Sequence, residues 1–71
     1  MCEKIARIAK ELQSMNKKIT FSELADRLGQ SHRLMARRVG KAWKDMRSKG
    51  RFYESRCIQL AFTKADGSYA Y

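Results

Sequence analysis

The sequence predicts a small α+β domain of three helices followed by a C-terminal β-hairpin. Three observations predict it: apolar residues spaced three and four apart up to Lys49, a switch to alternation beyond Gly50, and an Asp66-Gly67 pair inside the alternating stretch. Three-and-four spacing lines one face of a helix, whereas alternation lines one face of a strand, and Asp-Gly is a strong hairpin-turn signal.

From Glu3 to Met15, Ile5, Ile8, Ala9, Leu12 and Met15 share one helical face, which makes the first helix. Asn16-Lys17-Lys18 ends it, and Ile19-Thr20 is long enough for a single extended rung. Thr20 followed three residues later by Glu23 is a capping box, in which each side chain satisfies an orphan amide at a helix start. The second helix begins there, with Phe21, Leu24, Ala25 and Leu28 as its apolar face and Gly29 as its left-handed stop. Ser31 caps a third helix that runs to Lys49 and ends at Gly50. On a wheel of 100° per residue, Met35, Val39, Ala42 and Met46 fall within roughly 60° of one another, with Trp43 on their flank. Arg33, Arg37, Lys41 and Lys44 fall within roughly 80°, nearly opposite that apolar stripe, with Gly40 and Arg47 alongside. After Gly50, Ile58, Leu60 and Phe62 alternate with Cys57, Gln59, Ala61 and Thr63. With Asp66-Gly67 as a two-residue loop, Phe62 lies opposite Tyr71 and the hairpin closes over the helices.

Residues 1–71 make one domain whose core is thin, because so short a chain leaves much of its surface in water. A deep catalytic pocket is therefore not expected, and function belongs on the surface. The formal charge of +9 points to a polyanionic partner or an anionic membrane, and it is local: residues 32–51 carry eight of the sixteen Lys and Arg side chains against one acid, Asp45. Cys2 and Cys57 have no CxxC companion and His32 completes no ligand set with them, so neither a metal nor another cofactor is expected. No apolar run approaches the roughly 20 residues needed to cross a bilayer, and no signal segment is evident. The expectation is a cytoplasmic chain with reduced cysteines and no membrane partner. No carboxylate pair, nucleophile–base set or phosphate-cradling glycine loop is visible, so neither an enzyme nor a small-molecule substrate is expected.

The stretch Ile19-Thr20-Phe21-Ser22-Glu23-Leu24-Ala25-Asp26-Arg27-Leu28-Gly29-Gln30-Ser31 resembles the winged helix-turn-helix family, with its Thr, Glu-Leu-Ala, Leu-Gly and Ser pattern. Met35, Arg37 and Val39 then fall where that family has an apolar residue, a frequent Arg and another apolar residue. The resemblance covers residues 19–39 well and the hairpin loosely. It departs in a third helix longer by about one turn and in a wing tip that holds Asp66 with only Lys64 nearby. The wing is therefore expected to serve packing more than contact. The resemblance implies sequence-specific binding of double-stranded DNA, with the third helix in the major groove, in a nucleoid-associated transcriptional regulator. Gln30, His32, Arg33, Ala36 and Arg37 are then the candidates for base edges, and Ser31 stands with them at the helix start. Lys41, Lys44 and Arg47 are the candidates for phosphates, and Arg38 sits off the stripe. A homodimer on a palindrome is the expected arrangement, since one such unit buries little surface on DNA.

Plainer readings stand beside these. A run of charge is usually a solvated helix face, but such faces normally mix signs and this one does not. Trp43 reads as core, His32 as a base contact or an ordinary surface histidine, and Tyr53, Phe62, Tyr69 and Tyr71 as packing before a stacking platform. RNA binding is the alternative partner class, and a protein-interaction module seated on an acidic site of a larger enzyme is the alternative function.

Overall fold

Ile5, Ala9 and Leu12 are buried on one face of α1 (Cys2–Ser14), as their spacing predicts, with Ala6 beside them and Ile8 half-buried. Met15, expected on this face, instead caps the helix end and is exposed. The chain leaves this helix through Asn16, whose φ of 54° is the one positive value outside glycine, and enters the rung β1 (Ile19–Thr20). The computed structural model describes residues 1–71. Thr20 caps α2 (Phe21–Leu28) by accepting a 3.1 Å hydrogen bond from the Glu23 amide. The reciprocal half of the capping box is not made, because the Glu23 carboxylate lies 3.8 Å from Arg27 one turn on. Gly29 takes the left-handed conformation at φ 65°, and Ser31 accepts from the Leu34 amide at 3.2 Å to start α3 (His32–Ser48). Replacing Ser31 by alanine is expected to cost about 1 kcal/mol, the usual worth of such a cap, read as a lower urea midpoint with an unchanged slope.

Met35, Val39, Ala42 and Met46 of α3 are fully buried, and Trp43 is half-buried against the same core. Gly50, at φ 75°, ends the helix as expected, with the Arg51 amide reaching back to the Met46 carbonyl at 2.8 Å.

Beyond Gly50 the structure differs from the sequence expectation. Residues predicted to form the first hairpin strand form a fourth helix, α4 (Phe52–Ala61), followed by the two-residue strand β2 (Phe62–Thr63). The architecture is therefore four helices with a two-stranded parallel sheet, in which Ile19 pairs with Phe62 and Thr20 with Thr63. The reason lies in a double periodicity. Ile58, Leu60 and Phe62 alternate, but Ser55, Ile58 and Ala61, with Cys57, also lie one turn apart, and these four are the residues that α4 buries. Buried on α4, they pack against both α1 and α3. Ser55 ties the packing together by donating to the Trp43 carbonyl at 3.3 Å. Arg51 bridges Glu3 of α1 and Glu54 of α4, and this pairing holds the Glu3 carboxyl below its usual range.

The Asp66-Gly67 turn exists, with a different loop length. Lys64 and Ser68 close it through bonds from the Lys64 amide to the Ser68 carbonyl at 2.8 Å and from the Gly67 amide to the Lys64 carbonyl at 2.9 Å. The loop is thus the three residues Ala65, Asp66 and Gly67, with Gly67 at φ 86°, which is a common bulged form. Asp66 accepts from both the amide and the hydroxyl of Ser68, and these bonds lower its carboxyl pKa. The longer loop sets Thr63 opposite Tyr69 in a single antiparallel bridge, so the expected pairing of Phe62 with Tyr71 is replaced. Phe62 is fully buried, whereas Tyr69 is 47% and Tyr71 39% exposed.

Candidate nucleic-acid interface

α2, the Gly29-Gln30-Ser31 turn and α3 form one packed unit, because two caps and a left-handed glycine fix its ends and nine of its apolar side chains lie in or against one core. With Met35, Val39, Ala42 and Met46 facing inward, helical geometry forces Arg33, Arg37, Lys41 and Lys44 outward, and all four are exposed. Ser31, His32 and Arg47 are exposed as well, while Gln30, Ala36 and Arg38 are half-buried. Arg38 stands apart from the stripe, in a depression it shares with Met1, Cys2 and Lys41 beside the start of α1. Arg47 sits with its guanidinium 4.9 Å from the centre of the Trp43 ring, a cation–π contact that holds it beside the stripe.

The charges sort by face. The acids Glu3, Glu23, Asp45 and Glu54 pair with Arg51, Arg27, Lys49, Lys10 and again Arg51. None of these pairs uses Arg33, Arg37, Arg38, Lys41, Lys44 or Arg47, so the outer face of α3 keeps its full positive charge. Asp45, the one acid of α3, lies 3.0 Å from Lys49 and is neutralised there. Unpaired like charges three and four residues apart each cost a helix a few tenths of a kcal/mol. Folding alone does not favour such a stripe.

An open groove runs along this face, lined by Ala36, Arg37, Gly40, Lys41, Lys44 and Tyr71 among others. A second depression joins His32 and Arg33 at the start of α3 to Phe21, Ser22, Lys64 and Ala65. The turn after β2 therefore stands beside the N-terminal end of α3, and its Lys64 extends the cationic surface there.

Lys64 and Tyr71 are the two residues of this surface that the sequence reading left out of the interface. Lys64 carried a weak signal as the lone cation of the turn. Tyr71 reads in the sequence as packing before a stacking platform and not as part of the α3 surface, because its position depends on contacts with α3 and α4 far away in sequence. Of the aromatic residues expected to pack, Phe62 is buried, Tyr71 lies on Trp43, and Tyr53 is 67% exposed on the first turn of α4.

No helix is long and apolar enough to cross a membrane. Comparison with protein-family models, with curated proteins and with solved structures finds no match.

Proposed function

We propose that the chain is a helix-turn-helix domain of winged-helix type that binds double-stranded DNA, with α3 in the major groove, in a cytoplasmic, non-catalytic regulator of transcription. The observation that carries this reading is the stripe Arg33, Arg37, Lys41, Lys44, which is exposed, opposite the core and free of acidic partners. A helix of this kind fits the major groove in width, and a row of cations along it meets the flanking phosphates. Supporting it, the Lys64–Ser68 turn stands beside the start of α3, where a short wing would lie. Gln30 in the turn and His32, Arg33, Ala36 and Arg37 in the first turns of α3 are assigned to base edges, with the capping Ser31 between them at the helix start. Lys41, Lys44 and Arg47 lie further along and are assigned to phosphates, and Arg38 to the margin. Two copies on a palindrome would supply the contact area that one unit lacks.

The test is binding across a salt series. About five phosphate contacts give a log–log slope of affinity against salt near −4 to −5 on duplex DNA of any sequence. Duplex DNA is expected to outcompete duplex and hairpin RNA. The reverse order would move the interface to A-form RNA, and a slope near zero, with a captured protein partner that survives nuclease, would replace nucleic acid by an acidic protein surface.

A further inference from the structure

We propose that Tyr71 completes a phosphate seat on the outer face of α3, built with Lys41 and Lys44 around the bare backbone of Gly40, for one phosphodiester of a nucleic-acid backbone. The proposal rests on the nucleic-acid reading above and adds a residue and a locus to it.

Three contacts hold Tyr71 in place. Its ring stacks on Trp43 with centroids 4.8 Å apart and planes within 8°. Its carbonyl accepts a 3.0 Å hydrogen bond from the side-chain amide of Gln59 on α4. Its hydroxyl lies against Gly40, so close that a β-carbon there would sit 2.6 Å from the phenol oxygen. Gly40 has ordinary helical φ, and glycine is a poor helix former, so the space it leaves for Tyr71 is what its presence at mid-helix explains.

The phenol sits among cations, along a groove that Arg37, Lys41 and Lys44 also line. Asp45 and Ser48 line its far end, where Asp45 is paired with Lys49. The Tyr71 carbonyl is bonded to Gln59, whereas the hydroxyl takes no partner within the protein. Burial pushes its pKa up, which keeps the proton on the oxygen at neutral pH and leaves the hydroxyl a donor. A neutral donor held by stacking beside two exposed cations gives one phosphate oxygen a directed bond, with charge supplied by long, adaptable side chains. The seat lies beyond the residues assigned to base edges, so it reads no sequence and fixes how far α3 slides along the groove.

The experiment compares Tyr71→Phe, Tyr71→Ala and Gly40→Ala with the wild-type chain, by anisotropy on labelled duplexes over a salt series and by the emission of Trp43, the single tryptophan. Tyr71→Phe keeps the stack and is expected to weaken binding to all duplexes roughly tenfold to a hundredfold, the worth of one hydrogen bond to a charged oxygen. The salt slope should not change, because no counterion is released at a phenol. Gly40→Ala, which pushes the ring off its place, is expected to lose as much although alanine is the better helix former. Tyr71→Ala should do the same and shift the Trp43 emission. Equal affinity of Tyr71→Phe and wild type, with a wild-type slope near −4, would overturn the seat and leave the interface standing. Tighter binding by Tyr71→Ala would also overturn it, making the tail a cover over the stripe. A Trp43 response to millimolar inorganic phosphate without any effect on duplex affinity would assign the groove to a free anion instead. A wild-type slope near zero removes the nucleic-acid reading itself.

Discussion

Replacing Arg33, Arg37, Lys41 and Lys44 together by alanine is expected to abolish duplex binding at moderate salt and to leave the fold intact or firmer. All four side chains are exposed and none contacts an acid, so no packing or ion pair is lost. Arg33, Arg37 and Lys41 are four residues apart and Lys44 follows at three, and like charges at these spacings destabilise a helix by about 0.2–0.5 kcal/mol per pair. Relieving them and substituting the best helix former raises stability by about 1 kcal/mol. Binding moves the other way. Each phosphate contact contributes about 0.9 of a decade in affinity per tenfold dilution of salt, so losing those of Lys41 and Lys44 amounts to about one and a half decades at physiological salt, and losing the base contacts of Arg33 and Arg37 adds roughly 1–3 kcal/mol each on a preferred site. Thermal melting by circular dichroism and anisotropy on random and selected duplexes measure the two quantities. A variant that melts lower and still binds would make the stripe a structural feature and sink the interface. Within the set, Arg37→Ala alone should cost roughly 1–3 kcal/mol on a preferred site and much less on random DNA. Lys44→Ala alone should weaken all sequences alike and reduce the slope by about one unit.

Ile58→Ala and Phe62→Ala are expected to destabilise the domain by about 2–5 and 3–5 kcal/mol respectively, against a total near 5 kcal/mol for a chain of this size. Both side chains are fully buried, Ile58 on α4 and Phe62 in the parallel pair with Ile19. Leu60→Ala is expected to cost less than about 1.5 kcal/mol, because Leu60 is half-buried on the outer side of α4. That contrast separates the helix from the predicted hairpin, in which Ile58, Leu60 and Phe62 share one buried face and cost alike. Urea unfolding of the three variants reads it directly, with the Phe62 variant expected to be largely unfolded in water. Similar losses at positions 58 and 60 would restore the strand.

The first three helices, their caps and their stops were legible in the sequence because each depends on neighbours within about one turn. Thr20, Gly29, Ser31 and Gly50 act where the residue types place them. The outer stripe was legible for the same reason: once Met35, Val39, Ala42 and Met46 point inward, the helix leaves no choice about where Arg33, Arg37, Lys41 and Lys44 point. The rung at Ile19-Thr20 was legible too, though its partner strand was not.

Residues 52–62 carry apolar side chains at both two-residue and helical spacing, so no local rule could choose between them. The choice was made by the exposed apolar faces of α1 and α3, which α4 covers with Ser55, Cys57, Ile58 and Ala61. The turn at Asp66-Gly67 likewise left two- and three-residue loops open, and the pairing of Thr63 with Tyr69 selected the longer one and moved Tyr71 onto Trp43. By itself, then, the sequence determined the helices up to Gly50 and the sign and direction of the charge on α3, since these follow from bonds and spacing along one helix. The fourth helix, the place of Lys64 beside His32 and Arg33, and the seating of Tyr71 against Gly40 were decided by tertiary structure, because burial and stacking join residues that the chain keeps far apart.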